Sequence, residues 1–192
     1  MRVPGGVLTL LAVICILCTA CGCLGASSPP SDGGTTGGGI TPIDLPEPSD
    51  ACTLTEALAE LDLLGAEGGL NVTGTSVHQV LGAGMGSDGR AASWALGLAD
   101  GEEVRWLTFG AMGWREISLR APLPDAEVNV TETLAPEELL AMQEGVLRPV
   151  MVSLDADTVD IALAEGIYTV TVRSNAGMKT LAFRADTGEV IV

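Results

Sequence analysis

Few side chains in this sequence have the chemistry of a catalytic nucleophile. Nucleophilic catalysis needs a thiol or hydroxyl beside a base, with a third group that orients the base. The chain has a single histidine, His78, and the only cysteine after residue 50 is Cys52. These two residues do not supply such a set. We therefore predict no catalytic residue, with Cys52 a small, partly buried side chain at the start of a helix and His78 exposed on a short helix.

Two further patterns suggest ligand binding but lack the other residues that such sites need. The glycine-rich stretch GAGMGSDG (82–89) is predicted to follow a helix, whereas a phosphate-binding loop precedes one and usually carries a lysine. The chain's one lysine is the distant Lys179. Asp155, Asp157 and Asp160 lack the glycine and distal glutamate of an EF-hand loop, and Asp157 suits a helix N-cap. We expect no metal and no cofactor, and we expect 82–89 to be an insertion loop.

The charge and composition of the chain exclude several classes of function. The 192 residues include 25 Asp and Glu against 9 Lys and Arg, which gives a formal net charge of −16. Phosphate backbones and anionic lipid headgroups select clustered cations, so no nucleic-acid partner is expected. Hydrophobic residues make up 47% of the chain but aromatic residues only 3%. Such a chain can bury a core, and that core must be built mainly from aliphatic side chains.

The segment 1–22 has the pattern of an export signal. Arg2 precedes an apolar stretch over 7–20, which is shorter than the roughly 20 residues of a membrane-spanning helix. Small residues then surround Cys21 and Cys23, which resembles the lipobox of bacterial and archaeal lipoproteins. The resemblance implies a lipid anchor on one of these two cysteines and an extracytoplasmic location at the cell membrane. A plain secretory signal and an uncleaved anchor are the alternatives.

Residues 23–50, which follow the export signal, have the composition of a flexible tether. They are rich in Gly, Ser, Thr and Pro without any periodicity. A coil of this length has an end-to-end distance of about 25–30 Å. We therefore expect the folded part to stand away from the membrane to which the chain is anchored.

Two parts of the remaining sequence, residues 51–192, resemble each other. Without gaps, the segment 93–118 aligns with 167–192, and the segment 70–84 aligns with 152–166. Identities are few, but the apolar positions coincide, as in two diverged repeats. The predicted organisation is a first repeat over 51–120, a linker over 121–133 and a second repeat over 134–192.

Each repeat is predicted to be α+β, in the order helix, strand, helix and three antiparallel strands, with the helices packed on the sheet. Thr53 and Glu56 have the spacing of a capping box, and Thr133 and Pro136 suit the start of the corresponding helix. Alternating apolar residues over 168–173 predict a half-buried strand. The other predicted elements are short strands over 70–73 and 150–154 and second helices that start after Thr75 and Asp157.

The end of the chain, RADTGEVIV (184–192), resembles the last strands of the PepSY domain, and DTVDIALAEG (157–166) before YTVTV suggests that family's helix-then-hairpin order. In the first repeat, SVHQVLG (76–82) followed by Trp94 and Phe109 resembles the repeats of β-lactamase-inhibitor proteins and small outer-membrane-assembly lipoproteins. These families are non-enzymatic modules of secreted or lipid-anchored proteins. The resemblance therefore implies binding or modulation of a partner.

Two sequons of the form Asn-Val-Thr begin at Asn71 and Asn129, in a chain with only three asparagines. In an exported protein both are candidate glycosylation sites.

Trp106 and Trp114 are candidate partner-binding residues. In the self-alignment they match Thr180 and Gly188, so the second repeat lacks bulk at both positions. A three-residue turn over 111–113 would place both tryptophans on the face opposite the core, as an anchor patch. The alternative is that this face packs against the other repeat.

Two hypotheses about function follow. The first is a non-catalytic, lipid-anchored module that binds or modulates a cell-surface protein, such as a protease or another envelope protein. The second is an extracytoplasmic hydrolase whose active site has no recognisable motif.

Overall fold

In the computed structural model, which describes residues 51–191, the chain alternates between helices and runs of antiparallel strands. The first part of this region forms α1 (Leu54–Ala66), β1 (Ser76–Met85), β2 (Ser93–Asp100), β3 (Glu103–Gly110) and β4 (Gly113–Ile117). After a connection that ends in a 3-10 turn (Val130–Glu132), the chain forms α2 (Pro136–Met142), α3 (Glu144–Leu154), β5 (Val159–Ala164), β6 (Ile167–Ser174), β7 (Gly177–Arg184) and β8 (Val190–Ile191).

The strands form one antiparallel sheet in the order β4-β3-β2-β1-β5-β6-β7-β8. All pairs but one join neighbours along the chain, and the exception is the central pair of β1 with β5. Residues 51–191 thus contain three α-helices and an eight-stranded antiparallel sheet, which confirms the α+β class. The three strands predicted to end each repeat correspond to β2–β4 and β6–β8.

Helix α1 forms where its capping box predicts. The Thr53 hydroxyl accepts a hydrogen bond from the Glu56 amide, and the Glu56 carboxylate accepts one from the Thr53 amide. Leu54, Ala57 and Leu61 are buried along one side of the helix. That side packs towards β4, where the Trp114 indole donates a hydrogen bond of 2.6 Å to the Ala57 carbonyl.

Helices α2 and α3 cover the other part of the sheet. Pro136 occupies the first turn of α2, and the Glu138 carboxylate accepts a hydrogen bond from the Ala135 amide. Helix α2 therefore starts later than a cap at Thr133 would give. Leu147 and Val150 are the buried residues of α3, which packs against β6 and β7.

Four predicted elements are wrong. The second helices predicted after Thr75 and Asp157 are strands β1 and β5, the strand predicted over 150–154 is the end of α3, and 70–73 forms no strand. Strands β1 and β5 lie at the centre of the sheet, where apolar residues are buried on both faces. Their sequences therefore show continuous apolar runs, which periodicity alone does not distinguish from a buried helix.

The core lies between the helices and the sheet face that they cover. One of its two tryptophans is Trp94, whose ring lies against the backbone of Gly82 on the neighbouring strand and whose indole donates to the Cys52 carbonyl. The alternation over 168–173 is confirmed, because Tyr168, Val170 and Val172 all point into this core. Further members are Leu54, Leu61, Val80, Met85, Leu96, Leu98, Leu107, Phe109, Trp114, Leu139, Leu147, Ile161, Leu163 and Phe183.

The opposite face of the sheet is crossed by the connecting segment (residues 118–129). The Trp106 indole donates to the Ala121 carbonyl on this segment, and a Cβ on Gly97 would lie 2.4 Å from Leu123. At its end, the Val128 amide donates to the Val77 carbonyl on β1. The segment therefore covers the central strands on this side, and its path depends on the absence of a side chain at Gly97.

Candidate functional site

A groove of about 690 Å³ lies between α2, α3 and the end of β1. One face of α3 forms its longest wall, since residues three and four apart lie on the same side of a helix. The lining residues are Met85, Gly86 and Ser87 from β1 and the loop after it, Leu140 and Ala141 from α2, Glu144, Leu147, Arg148, Met151 and Val152 from α3, and Asp155, Ala156, Asp157 and Val159 from α3 to β5.

The floor of this groove is apolar. Met85, Leu147 and Val159 are buried and belong to the hydrophobic core, so the floor is fixed by the packing of the sheet against the helices. Val152 lies on the rim of the groove and is 73% exposed, so it presents an aliphatic side chain beside the apolar floor.

The rim of the groove is mainly acidic. Glu144 and Arg148 form an ion pair of 3.1 Å along one turn of α3, and both side chains are largely exposed. Asp155 and Asp157 line the end of the groove, and no ion pair to either is formed among residues 51–191. The rim therefore carries an excess of negative charge over an apolar floor.

Cys52 and His78 contact different parts of the chain. Cys52 is half-buried and pairs with Ala91 next to the end of β1, and burial raises the pKa of its thiol. His78 lies near the start of β1 and is half-buried, so the prediction of an exposed residue on a short helix is wrong. Its Nδ1 donates 2.8 Å to the Pro124 carbonyl on the connecting segment, and its Nε2 is 3.0 Å from the Ser76 hydroxyl. Nδ1 of His78 thus links β1 to the connecting segment, whereas Nε2 contacts its own strand.

The acidic and glycine-rich motifs have structural roles. The Asp160 carboxylate accepts a hydrogen bond from the Gly84 amide and forms an ion pair with Arg173, so it joins β1, β5 and β6. Asp157 does not cap a helix, because the residues after it form β5. Within residues 51–191, no three His, Cys, Asp or Glu side chains come together as a metal site requires.

The stretch 82–89 is only partly a loop. Its first residues continue β1, and Gly82 is buried under Trp94. Gly89 has a φ of +77°, and a Cβ there would lie 2.3 Å from Cβ of Glu137. The loop after β1 is therefore pressed against the first turn of α2, which fixes one wall of the groove.

The predicted tryptophan patch is wrong. The β3–β4 turn contains two residues, Ala111 and Met112, so Trp114 pairs with Phe109 and lies on the core face. Trp106 lies on the opposite face, where it is covered by the connecting segment and not by the other repeat. Trp106 and Trp114 are 1% and 6% exposed. A one-residue change in turn length reverses the face of every following side chain, which is why the prediction failed for Trp114. For Trp106 it failed because the connecting segment covers that face.

The sequence motif at the end of β7 holds α2 against the sheet. Arg184 forms an ion pair of 2.8 Å with Asp186, and hydrogen bonding to Arg184 lowers the pKa of Asp186 to about 2. The turn that follows accepts a hydrogen bond at the Gly188 carbonyl from Gln143, and the Leu134 amide donates to Ala185. The predicted helix before YTVTV is strand β5, so the helix-then-hairpin order expected from the PepSY resemblance is not present.

Several predictions concern residues outside those that the structure describes. These are the export signal over 1–22, the lipidation of Cys21 or Cys23, and the tether over 23–50. Among the described helices, none has the length and apolar character needed to cross a membrane.

Comparisons of the chain with protein-family models, with curated proteins and with solved structures give no match. The resemblances to PepSY domains and to the inhibitor and lipoprotein repeats therefore remain predictions from short motifs.

Sequence reasoning missed the groove residues. Glu144, Leu147, Arg148 and Met151 have the three- and four-residue spacing of one helix face, which was the available signal. This helix face was missed because residues 150–154 also suit the predicted strand. The other wall of the groove comes from residues far away in the chain.

Proposed function

We propose that this chain is a non-catalytic, lipid-anchored binding module whose groove takes an apolar segment of a partner protein. The observation that carries this proposal is the groove itself, which combines a buried apolar floor with the exposed Val152 on its rim. Apolar depressions with a few polar groups at the edge are typical binding sites for protein segments and small molecules.

The charge of the rim supports a partner segment with flanking cations. Glu144, Asp155 and Asp157 lie at the edge of the groove against a single cation, Arg148, which is itself paired with Glu144. The whole chain adds a net charge of −16, which favours the approach of a positively charged surface. We therefore propose that the partner presents apolar side chains next to Lys or Arg.

The proposed location is the extracytoplasmic side of the cell membrane. It rests on the export-signal pattern and on the lipobox-like residues around Cys21 and Cys23. A tether over 23–50 would let the groove search the space near the membrane while the chain remains anchored.

We also propose that the folded part arose by duplication of a unit in which a helix is followed by four strands. Pairs in β2–β3 have counterparts in β6–β7 at the positions that the self-alignment matches, because Trp94 pairs with Phe109 as Tyr168 pairs with Phe183. The symmetric strand order around β1 and β5 is what such a duplication would give. The motif RADTGEVIV (184–192) alone supports a PepSY-like origin of the second unit, since the helix expected before YTVTV is strand β5.

The binding proposal is tested by photo-crosslinking in membranes of the protein's own cells. A photoreactive residue at position 152 of the full-length chain should form crosslinks to an apolar peptide with adjacent Lys or Arg, identified by mass spectrometry. The substitution Val152→Arg, assayed with a photoreactive residue at groove position 151, should reduce the yield at least tenfold, because it places a charged side chain on the rim.

The matched control is Leu63 on α1, which is 59% exposed and does not line the groove. A photoreactive residue at position 63 should give no such crosslink, and Leu63→Arg should leave the yield at position 151 unchanged. Equal crosslinking from positions 63 and 152, or full binding by Val152→Arg, would show that the groove is not the binding site.

A further inference from the structure

Both sequons of the chain lie on the surface. Asn71 is exposed in the turn between α1 and β1, and Asn129 is exposed just before the 3-10 turn. Thr73 and Thr131, which complete the two sequons, are also exposed. An enzyme can therefore reach the acceptor asparagine and its threonine together at both positions.

The two sequons have the same local conformation. The Asn71 side-chain oxygen accepts a hydrogen bond of 2.9 Å from the Thr73 amide. The Asn129 oxygen accepts bonds from the Thr131 amide, at 3.2 Å, and from the Thr131 hydroxyl, at 2.8 Å. These bonds hold Oδ1 of each asparagine against its own turn, and within residues 51–191 Nδ2 of neither asparagine donates a hydrogen bond.

The register of the sheet places both sequons at one end of the molecule. Val77, Leu98 and Arg105 form one row across β1, β2 and β3. The Val128 amide, next to Asn129, donates to the Val77 carbonyl, and the Arg105 guanidinium donates 2.9 Å to the Asn71 carbonyl. Each sequon is thus attached to the same row.

The groove lies at the other end of the same strands. Met85 and Val159, which form part of its floor, pair with each other across β1 and β5. Val77 and Met85 are both on β1, and at about 3.3 Å per residue they are about 25 Å apart. Groups attached near the Val77 row would leave the groove open.

We propose that Asn71 and Asn129 both carry N-linked glycans. The inference rests on the extracytoplasmic location of the proposed function, because the sugar donor is a lipid-linked sugar presented at that side of a membrane. Nδ2 of the asparagine attacks the anomeric carbon of the sugar and forms the N–C bond. The C–O bond to the polyprenyl phosphate or diphosphate breaks, its electron pair stays on the phosphate oxygen, and the Nδ2 proton passes to a base of the transferase.

The experiment measures the mass of the full-length protein isolated from its own cells, together with peptides that contain residues 71–73 and 129–131. Each of Asn71→Gln and Asn129→Gln should lose one glycan mass, and the double variant should lose both. Asn175→Gln is the matched control, since Asn175 is exposed in the β6–β7 turn but is followed by Ala-Gly. Thr73→Ala and Thr131→Ala should abolish the modification while keeping the asparagine, whereas Thr→Ser should retain it.

Protease treatment of intact cells reports the location separately. An exported chain whose two asparagines have the unmodified mass overturns the glycan proposal and leaves the groove proposal intact. A chain protected inside the cell overturns the proposed location and the glycans with it. Modification of one asparagine alone overturns the assignment of the other, and crosslinking at position 152 tests the groove in each case.

Discussion

At the scale of single residues, the polar tips of buried aromatic rings tie separate parts of the chain together. The single tyrosine, Tyr168, is 1% exposed, and its hydroxyl donates a hydrogen bond of 2.6 Å to the Leu134 carbonyl just before α2. The indoles of Trp94, Trp106 and Trp114 likewise donate to backbone carbonyls of Cys52, Ala121 and Ala57. The few aromatic residues of this chain thus act both as core volume and as fixed links.

Burial of Tyr168 predicts a loss of stability at high pH. Desolvation raises the pKa of its hydroxyl to about 12 in the folded chain, against an ordinary value of about 10. The folded state therefore holds the proton more tightly, and its advantage is complete below pH 10 and lost as the pH rises towards 12. The free energy of unfolding should fall through this range by up to about 1.4 kcal/mol per pH unit from this group.

The variant Tyr168→Phe isolates this contribution, because other groups also titrate above pH 10. Its free energy of unfolding, measured in urea, should be lower than that of the original chain at pH 8 by about 0.5–1.5 kcal/mol, the usual net value of one hydrogen bond. The difference should shrink or reverse above pH 10. A constant difference, or tyrosinate absorbance in the native protein that develops at pH 10, would contradict the assignment.

At the scale of elements, the central strand β1 packs closely because it carries glycine under a large ring. A Cβ at position 82 would lie 2.6 Å from the Trp94 ring and 2.9 Å from the Ile161 side chain. The Trp94 indole has little freedom to move, since its nitrogen is hydrogen-bonded to the Cys52 carbonyl. Gly82 is therefore required by volume rather than by backbone conformation.

We expect Gly82→Ala to destabilise the fold by about 1–3 kcal/mol, the usual cost of overpacking a core. Gly110→Ala is the matched control, because Gly110 also lies in a strand but has no atom within 4 Å of its Cβ position. Its free energy of unfolding should stay the same or rise by up to about 1 kcal/mol. Equal urea midpoints for the two variants would show that β1 and Trp94 separate at little cost.

Local sequence signals predicted α1 and β6 correctly but not the two central strands β1 and β5. The Thr53–Glu56 spacing identified α1, because a capping box is a local pattern, and the alternation of polar and apolar residues over 168–173 identified β6. Strands β1 and β5 are buried on both faces, so their sequences carry no such contrast. The prediction of a tryptophan patch failed at Trp114 because the turn is one residue shorter than expected, and at Trp106 because the connecting segment covers it. The groove joins walls that only the tertiary fold brings together.

At the scale of the whole molecule, the net charge opposes membrane binding, whereas the proposed lipid anchor favours it. A chain with a net charge of −16 is repelled by an anionic bilayer, so its polar surface contributes no attraction to the membrane. Buried acyl chains supply about 0.8 kcal/mol per CH₂ group and would have to provide all of the membrane affinity.

The combined substitution Cys21→Ser and Cys23→Ser should therefore abolish fatty-acid labelling and release the chain from membranes even at low ionic strength. The single variants should show which cysteine carries the lipid. Cys52→Ser should leave both labelling and membrane association unchanged, since Cys52 belongs to the folded region. Membrane association that persists in the double variant would mean that the segment 1–22 anchors the chain without lipid.

The pairing of β1 with β5 also concentrates the entropic cost of assembling the sheet. Within β1–β4 and within β5–β8, each pairing closes only a short turn, and the loss of chain entropy on closing a loop increases with its length. The pairing of Met85 with Val159 instead encloses the connecting segment and both of the helices α2 and α3. Most of the sequence separation between paired strands thus comes from the pairing of β1 with β5, so this single pair sets the contact order of the protein.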